Sequence, residues 1–327
     1  MTPNHYKTLH LDPGADPEVL KAAYKVLAKK HGSDDRKLKA VELAGEVLLD
    51  PDQRAEYDRQ QRKLVGKIVG EYRFLEKIAE GGFGETYKAE HVLNKKLACI
   101  KYALNLDPED ETMLIEEAGT IWDLRHYGIP AVKGLLRMPD NKLALVMSYV
   151  PGLTLAQYIE HHYQTGMDAE HVAWITERVL NILKYLHMHG VVHGDVKPQN
   201  IIIEAEKHTV VVVDYGLSMI KPKGTTPAKG YTPYFAAPEQ EAFSPPIPET
   251  DLYGLGMTMI FALGGDVEHV NVPPNTPKAM CAFIKSLIRR DPLKRPKVWQ
   301  VDLCETIKEV RQQDFGRTAS GMKPLKV

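Results

Sequence analysis

The sequence predicts an α+β protein in three successive runs: an all-helical start, a strand-rich middle and a helix-rich remainder. Three observations predict it. Apolar residues recur at helical spacing across residues 5–60. Short strand-like runs surround a single helix between Glu71 and Val150. Beyond Pro151, long apolar stripes at helical period dominate.

In the first run, Leu20, Ala23 and Leu27 share a helical face, as do Leu38, Val41 and Leu48. Asp16-Pro17-Glu18 reads as a helix start, a capping Asp followed by Pro at the first helical position. Asp50-Pro51 starts another helix through Tyr57. The character changes near Gly70. Tyr72–Ile78 and Thr86–His91 are strands flanking a glycine cluster, and Leu97–Ala103 is a third. Acidic Glu109–Glu111 opens a helix to about Leu124, where negative charge suits the N-terminal dipole. Lys142–Tyr149 is a further strand. In the last run, Ile175, Val179, Ile182 and Leu186 form one stripe, followed by short strands Ile201–Glu204 and Thr209–Val213. Proline density from Pro222 to Pro248 predicts irregular backbone. Helices resume at Leu252–Leu263, Lys278–Arg289 and Val301–Arg311, and Gly316–Val327 reads as a tail.

The chain has 327 residues, which at roughly 150 residues per domain suggests two domains. A net charge of -1 supplies no electrostatic argument for nucleic acid or an acidic membrane surface, so neither is expected as a partner. The three cysteines, Cys99, Cys281 and Cys304, form no CxxC pair, which argues against zinc and against a disulfide scaffold. No signal-peptide core and no membrane-spanning apolar run is present, so the expected location is cytoplasmic.

Several segments carry chemistry. Ile78-Ala79-Glu80-Gly81-Gly82-Phe83-Gly84-Glu85-Thr86 lies between two strands, and its glycines let backbone amides approach phosphate oxygens; a glycine-rich hairpin is also often only a turn. Lys101 ends the apolar run Ala98-Cys99-Ile100. It reads either as an edge-strand lysine reaching water or as a cation held for phosphate, with Glu117 or the competing Glu116 as partner. The strongest segment is Val192-His193-Gly194-Asp195-Val196-Lys197-Pro198-Gln199-Asn200, with Asp214-Tyr215-Gly216 beyond it. Two carboxylates, an amide and a lysine in turns beside apolar strands suit phosphoryl transfer, where metal ions neutralise phosphate oxygens and a carboxylate takes the hydroxyl proton.

Residues 71–311 therefore resemble a eukaryotic-type serine/threonine protein kinase. Ala237-Pro238-Glu239, the run Asp251-Leu252-Tyr253-Gly254-Leu255-Gly256, and Asp291-Pro292-Leu293-Lys294-Arg295-Pro296 add motifs in the family's order. The resemblance implies a bilobal protein-kinase fold, with a small β-rich lobe and a large helical lobe, and the cofactors ATP and magnesium, with manganese as a substitute. It implies that Lys101 holds the α- and β-phosphates and pairs with Glu117. Asp195 would accept the substrate hydroxyl proton, Lys197 would steady the γ-phosphate, and Asn200 and Asp214 would bind the metal. Nucleotide contacts would come from Ile78, Gly81, Gly82, Phe83, Gly84, Thr86, Ala98 and Lys101. Met147 would be the gatekeeper, Tyr149 and Val150 part of the hinge, and Ile202 a further contact. Arg295 would pair with Glu239. Lys197 and Thr232 favour Ser/Thr over Tyr specificity, with protein substrates as partners.

Three positions depart from the family. Ala79 replaces the first loop glycine and Thr86 the usual valine. Gly194 replaces the arginine that receives an activation-loop phosphate, so activity is expected not to depend on that phosphate. The span Gly264–Pro277 is short. His187, His189 and His193 invite a metal reading, but family position makes His193 a packing residue.

Residues 5–59 resemble a J domain, through Tyr6–Leu11, Glu18–His31 and Leu49–Asp58. The family's His-Pro-Asp triplet is replaced by His31-Gly32-Ser33-Asp34, which argues against stimulation of a DnaK-type chaperone and for a helical docking module. The partner reached through residues 1–62 stays open between such a chaperone and another protein. The domains expected are 1–62 J-like, 63–70 linker, 71–313 kinase and 314–327 flexible tail. The alternative function is a pseudokinase scaffold or chaperone-linked adaptor that binds ATP without efficient transfer; the intact polar set opposes it. A small-molecule kinase also writes His-Gly-Asp, but it lacks counterparts of Lys197 and Ala237-Pro238-Glu239.

Overall fold

The computed structural model describes residues 5–11, 15–32, 35–61, 64–81, 84–102, 108–318 and 324–325. It divides into two compact units, residues 1–111 with 135–146, and residues 112–134 with 147–327.

The first unit opens with four helices: α1 (His5–Thr8), α2 (Pro17–Lys30), α3 (Asp35–Leu49) and α4 (Pro51–Gln61). Leu20, Leu27, Val41 and Leu48, four of the six residues of the helical stripes, meet Tyr6, Leu9 and Tyr57 in one apolar core, whereas Ala23 and Leu38 are only half-buried. Asp50 caps α4, its Oδ1 accepting from the amides of Asp52 and Gln53 at 3.0 and 2.9 Å. Asp16 stands at the start of α2, but its side chain makes no capping hydrogen bond.

A six-stranded sheet follows, antiparallel from β1 to β4. Its strands are β1 (Ile68–Val69), β2 (Tyr72–Gly81), β3 (Gly84–His91), β4 (Leu97–Tyr102), β5 (Val132–Arg137) and β6 (Leu143–Ser148), in the order β1-β2-β3-β4-β6-β5. Two of these strands were not legible in the sequence. β1 falls inside residues 63–70, expected to be a linker. Leu64 and Val69 are instead buried in the sheet's core with Phe74, Tyr87 and Ile100. A two-residue strand has no readable period, so only its pairing to β2 defines it. β5 carries Gly134 at φ +155°, a residue that argues against a strand when read alone.

The second unit begins within α5 (Pro108–Ile121). It continues through β7 (Leu153–Thr154), α6 (Leu155–His162), α7 (Ala169–Met188) and β8 (Val191–Val192). A single 3-10 turn, Pro198–Asn200, leads into β9 (Ile201–Glu204) and β10 (Thr209–Val212). Then come β11 (Met219–Ile220), α8 (Pro238–Glu241), α9 (Pro248–Ala262), α10 (Lys278–Leu287) and α11 (Leu303–Phe315). The stripe Ile175, Val179, Ile182 and Leu186 on α7 is fully buried. Helix α9 is buried along nearly its whole length, Asp251 included. No helix occupies Gly264–Pro277, where the only regular pairing is an isolated bridge between Asp266 and Asn271.

The tail expected from residue 314 is tied down over its first residues. The Asp314 carboxylate accepts from the Ala279 and Met280 amides at the N-terminus of α10, at 3.0 and 2.7 Å. Arg317 then grips Glu170 with two hydrogen bonds of 2.7 and 2.6 Å. These partners lie far away in sequence, so composition alone marked the stretch as loose.

Candidate active site

The loop His193–Asn200 lies between β8 and β9, and side chains from distant elements pair the backbone of its first residues. Asp251 on α9 is 1% exposed. Its Oδ2 accepts the His193 amide at 2.9 Å and its Oδ1 the Gly194 amide at 2.8 Å. His187 from α7 places Nε2 2.8 Å from the same Oδ2. The Asp195 amide donates to His193 Nδ1 at 3.2 Å, so His193 carries its proton on Nε2, which faces the Val213 carbonyl at 3.3 Å. Ser218 Oγ donates to the His193 carbonyl at 2.9 Å, and Gln240 Nε2 to the Gly194 carbonyl at 2.7 Å. Such pairing matters in a buried loop, because each orphaned polar group costs about 1–3 kcal/mol.

This scaffold holds the Asp195 carboxylate, which is 8% exposed. Oδ1 accepts from Thr232 Oγ1 at 2.7 Å. Oδ2 accepts from Asn200 Nδ2 at 2.9 Å and forms a 2.7 Å ion pair with Lys197 Nζ. Lys197 Nζ also donates to Thr232 Oγ1 at 2.8 Å, closing a ring of three side chains. Both side-chain hydrogen bonds of Asn200 use its nitrogen, one of them to the Asp195 carbonyl. Its amide oxygen is therefore the atom left to face a cation, which fits the chemistry expected of a magnesium ligand.

Asp214 is half-buried at φ +65°, a left-handed conformation that a short polar side chain tolerates better than most. Next to it, the Tyr215 amide donates to Oε1 of buried Glu117 on α5 at 3.2 Å. Tyr215 is itself buried. Its ring packs edge-on to His193 at 4.8 Å, and its hydroxyl donates to the Val212 carbonyl at 3.2 Å. Burial raises the Tyr215 phenol well above its usual range, with help from the negative charges of Asp251 and Glu117. Glu116, the competing acid, instead pairs with Lys229 at 2.8 Å.

In the first unit, Ala79 stands opposite Thr86, and Thr86 opposite Lys101. Directly opposed residues of antiparallel strands share a face, so three positions singled out from the sequence form one rung across β2, β3 and β4. Gly81 and Gly84 pair at the hairpin, and Gly84 has φ +138°, which only glycine adopts easily. Gly82 and Phe83 lie outside the described residues. Ile78 is exposed on β2. Ala98 needs correcting. Side chains alternate along a strand, so Ala98 lies on the face opposite Lys101, buried with Ile100 and Tyr102 in the sheet's core. Cys99 is the residue on the Lys101 face, a choice that period-two counting would have made. In the second unit, Met147 is buried and Tyr149, Val150 and Ile202 are half-buried. The three histidines read as a tempting metal set have separate partners: Asp251 for His187, the Tyr185 carbonyl for His189, and Val213 and Asp195 for His193.

Residues 72–270 match the protein kinase domain model. The chain belongs to the protein kinase family. It is 32% identical over 213 residues to serine/threonine-protein kinase C of Synechocystis, covering 59% of this chain and 39% of that protein. To serine/threonine-protein kinase D of the same organism it is 30% identical over 216 residues, covering 60% and 41%. To the hormonally up-regulated neu tumor-associated kinase homolog A of Xenopus laevis it is 27% identical over 263 residues, covering 72% and 37%. The chain thus spans about two-fifths of the length of these kinases. The match begins after the four N-terminal helices. Among the described residues no helix is long and apolar enough to cross a membrane.

Another kinase landmark closes in three dimensions. The Arg295 side chain is fully buried and meets Glu239 end to end, Nη1 to Oε1 at 2.6 Å and Nη2 to Oε2 at 2.8 Å. Sequence reasoning missed Gln240, Ser218 and His187 as supports of the kinase loop, because a buried polar residue leaves no periodic trace.

Proposed function

We propose that this chain is an ATP-dependent serine/threonine protein kinase acting on protein substrates. The observation that carries the reading is the Asp195 carboxylate, held by Lys197, Asn200 and Thr232 on a loop whose backbone is pinned by Asp251. Asp195 orients the substrate hydroxyl and accepts its proton. Lys197 supplies fixed positive charge beside the transferring group, where charge preorganised in a partly dry site is most effective. Asn200 and Asp214 are the residues that would hold magnesium, which when bound neutralises phosphate oxygens. Lys101 holds the nucleotide phosphates, and Glu117 orients the Asp214-Tyr215 turn through the Tyr215 amide. The names of the relatives support Ser/Thr transfer.

We further propose that the four N-terminal helices are a J-like docking module. Its support is the buried core to which Tyr6, Leu9, Leu20, Leu27 and Tyr57 of the J-like segments contribute. His31 ends α2, whereas Ser33 and Asp34 of the altered triplet lie outside the described residues. The loss of Pro in that triplet favours protein docking over chaperone stimulation.

The test is radiolabelled ATP with a generic basic protein, comparing wild type with Asp195→Ala. Wild type should label serine and threonine, and the variant should fall by roughly a hundredfold or more. Incorporation that persists in Asp195→Ala removes the assignment.

A further inference from the structure

Gly194, where the kinase resemblance places an arginine, is buried at φ +77° directly before Asp195. Glycine resists rotation of its flanking peptide planes less than any other residue. Turning over the Gly194–Asp195 plane changes φ of Asp195, swings its Cβ and carries the carboxylate away. The backbone alone therefore does not hold Asp195 at this place. Side chains do. The plane before Gly194 is held at both edges, its carbonyl by Ser218 Oγ at 2.9 Å and its amide by Asp251 Oδ1 at 2.8 Å. In the plane after Gly194, the amide is that of Asp195 and donates to His193 Nδ1 at 3.2 Å, a long bond from a ring of the same loop. The carbonyl accepts from Gln240 Nε2 at 2.7 Å. Among the described hydrogen bonds, that one alone reaches this second plane from outside the loop.

Gln240 is buried, so the ends of its amide depend on protein partners. Its Oε1 accepts the Ala237 amide at 3.1 Å, the ordinary back-reach of a residue in the first turn of a helix, here α8. Helix capping does not explain the nitrogen end and its bond to Gly194. A carbonyl only accepts and a backbone amide only donates, so these two partners demand a donor and an acceptor on one group. A primary amide supplies both, whereas an ionised carboxylate offers acceptors only.

We propose that Gln240 is a positioning residue for phosphate transfer, its amide locking the Gly194–Asp195 peptide plane against flipping and so keeping the Asp195 carboxylate aimed. The lock matters here because residue 194 is glycine. With Thr232 on the carboxylate and Gln240 on the backbone, residues 232–240 hold Asp195 at both ends. Order in this stretch reaches Asp195 directly, with no phosphate on the activation segment as intermediary. The role in transfer rests on the kinase reading, whereas the lock itself does not.

The test compares the full chain with Gln240→Met, which removes both polar ends, and Gln240→Glu, which keeps the shape. Gln240→Met should lower kcat by roughly tenfold to a hundredfold at saturating ATP, with KM for ATP little changed, since misalignment acts on the reacting geometry. In Gln240→Glu the ionised carboxylate has no donor for the Gly194 carbonyl, whereas its protonated form carries one O–H and one acceptor, like the amide. Burial and the negative charges of Asp195 and Asp251 favour the protonated form. The kcat of Gln240→Glu relative to wild type should therefore rise as pH falls from about 8.5 to about 6, while that of Gln240→Met stays level. Hydrogen exchange, followed by mass spectrometry of peptides spanning residues 193–200, reads the lock without catalysis. Exchange there should be faster in Gln240→Met than in wild type, with peptides of α7 unchanged. Wild-type kcat in Gln240→Met would overturn the proposal. A Gln240→Glu ratio that does not change with pH removes the donor role and overturns the lock, and so does unchanged exchange in the loop. Faster exchange in Gln240→Met, where the wild type transfers no phosphate, upholds the lock while removing the kinase reading. Should Gln240→Met fail to fold, Gln240→Glu against wild type decides by the same two readouts.

Discussion

Thr232 donates its hydroxyl to Oδ1 of Asp195 at 2.7 Å, across 37 residues of chain, while accepting from Lys197. The hydroxyl thus fixes both the carboxylate rotamer and the ammonium position. Thr232→Ala should lower kcat by roughly tenfold to a hundredfold, because loss of alignment acts on the reacting geometry. Thr232→Ser should recover most of it, and Thr232→Val, equal in shape, should not. Steady-state kinetics at saturating ATP checks this, and equal kcat for Thr232→Val and wild type would remove the positioning role.

Gly194 has φ +77°, and a Cβ there would sit 2.9 Å from the Leu217 carbonyl oxygen. Restoring the arginine usual in the family is therefore not a repair. Gly194→Arg forces an L-residue into the left-handed region at about 1–2 kcal/mol, before the contact with Leu217 is relieved. It should lower the melting temperature and the activity together.

The same glycine leaves the activation segment without the usual phosphate anchor. Lys229 of that segment is instead held by Glu116 on α5. The Thr225→Ala, Thr226→Ala double variant, which removes two acceptor hydroxyls of the segment, should keep most of the wild-type rate in a radiolabel assay. Loss of nearly all activity on this substitution, or on phosphatase treatment, would show that a phosphate is required after all.

Arg295 spends its guanidinium donors on Glu239 and on the carbonyls of Arg289, Glu249 and Arg290. Its guanidinium also lies 4.9 Å from the centre of the Tyr253 ring. Arg295→Ala leaves Glu239 without its countercharge and should cost about 3–5 kcal/mol in urea denaturation. Arg295→Lys should recover little, since an ammonium cannot reproduce the two-pronged pairing.

The Arg317 guanidinium beside Glu170 holds that carboxyl below its ordinary range. A folded-state pKa lowered in this way contributes stability above the unfolded value, and that stability is lost as pH falls through the folded one. Arg317→Ala should therefore lower the melting temperature at about pH 7, and the difference from wild type should close as pH falls below the ordinary carboxylate range. A gap that stays constant with pH would show that the pair contributes nothing through ionisation.

How much was legible varied with the physics of each element. The stripe on α7 and the helices around Leu20 and Val41 were readable because period alone defines an amphipathic helix. The two-residue strands β1, β7, β8 and β11 were not, since each exists only through its partner. Ala98 was placed beside Lys101 by motif position, and the pleat turned it to the core instead. The tail was read from composition, which says nothing of Asp314 capping α10 or of Arg317 gripping Glu170.

By itself, the sequence determined the chemistry: which carboxylates, amide and lysine are available, and in what order the kinase motifs occur. Covalent order and side-chain type are sufficient for that, because phosphoryl transfer demands particular groups at short spacing. Only the tertiary structure decided which of those groups share a hydrogen bond. Asp251 reaches the His193 and Gly194 amides, Gln240 reaches the Gly194 carbonyl, and Thr232 reaches Asp195, each across many residues of chain. Such contacts have no local signature. They arise when the fold removes water from the loop, and every buried donor and acceptor must then find a partner wherever the packing brings one.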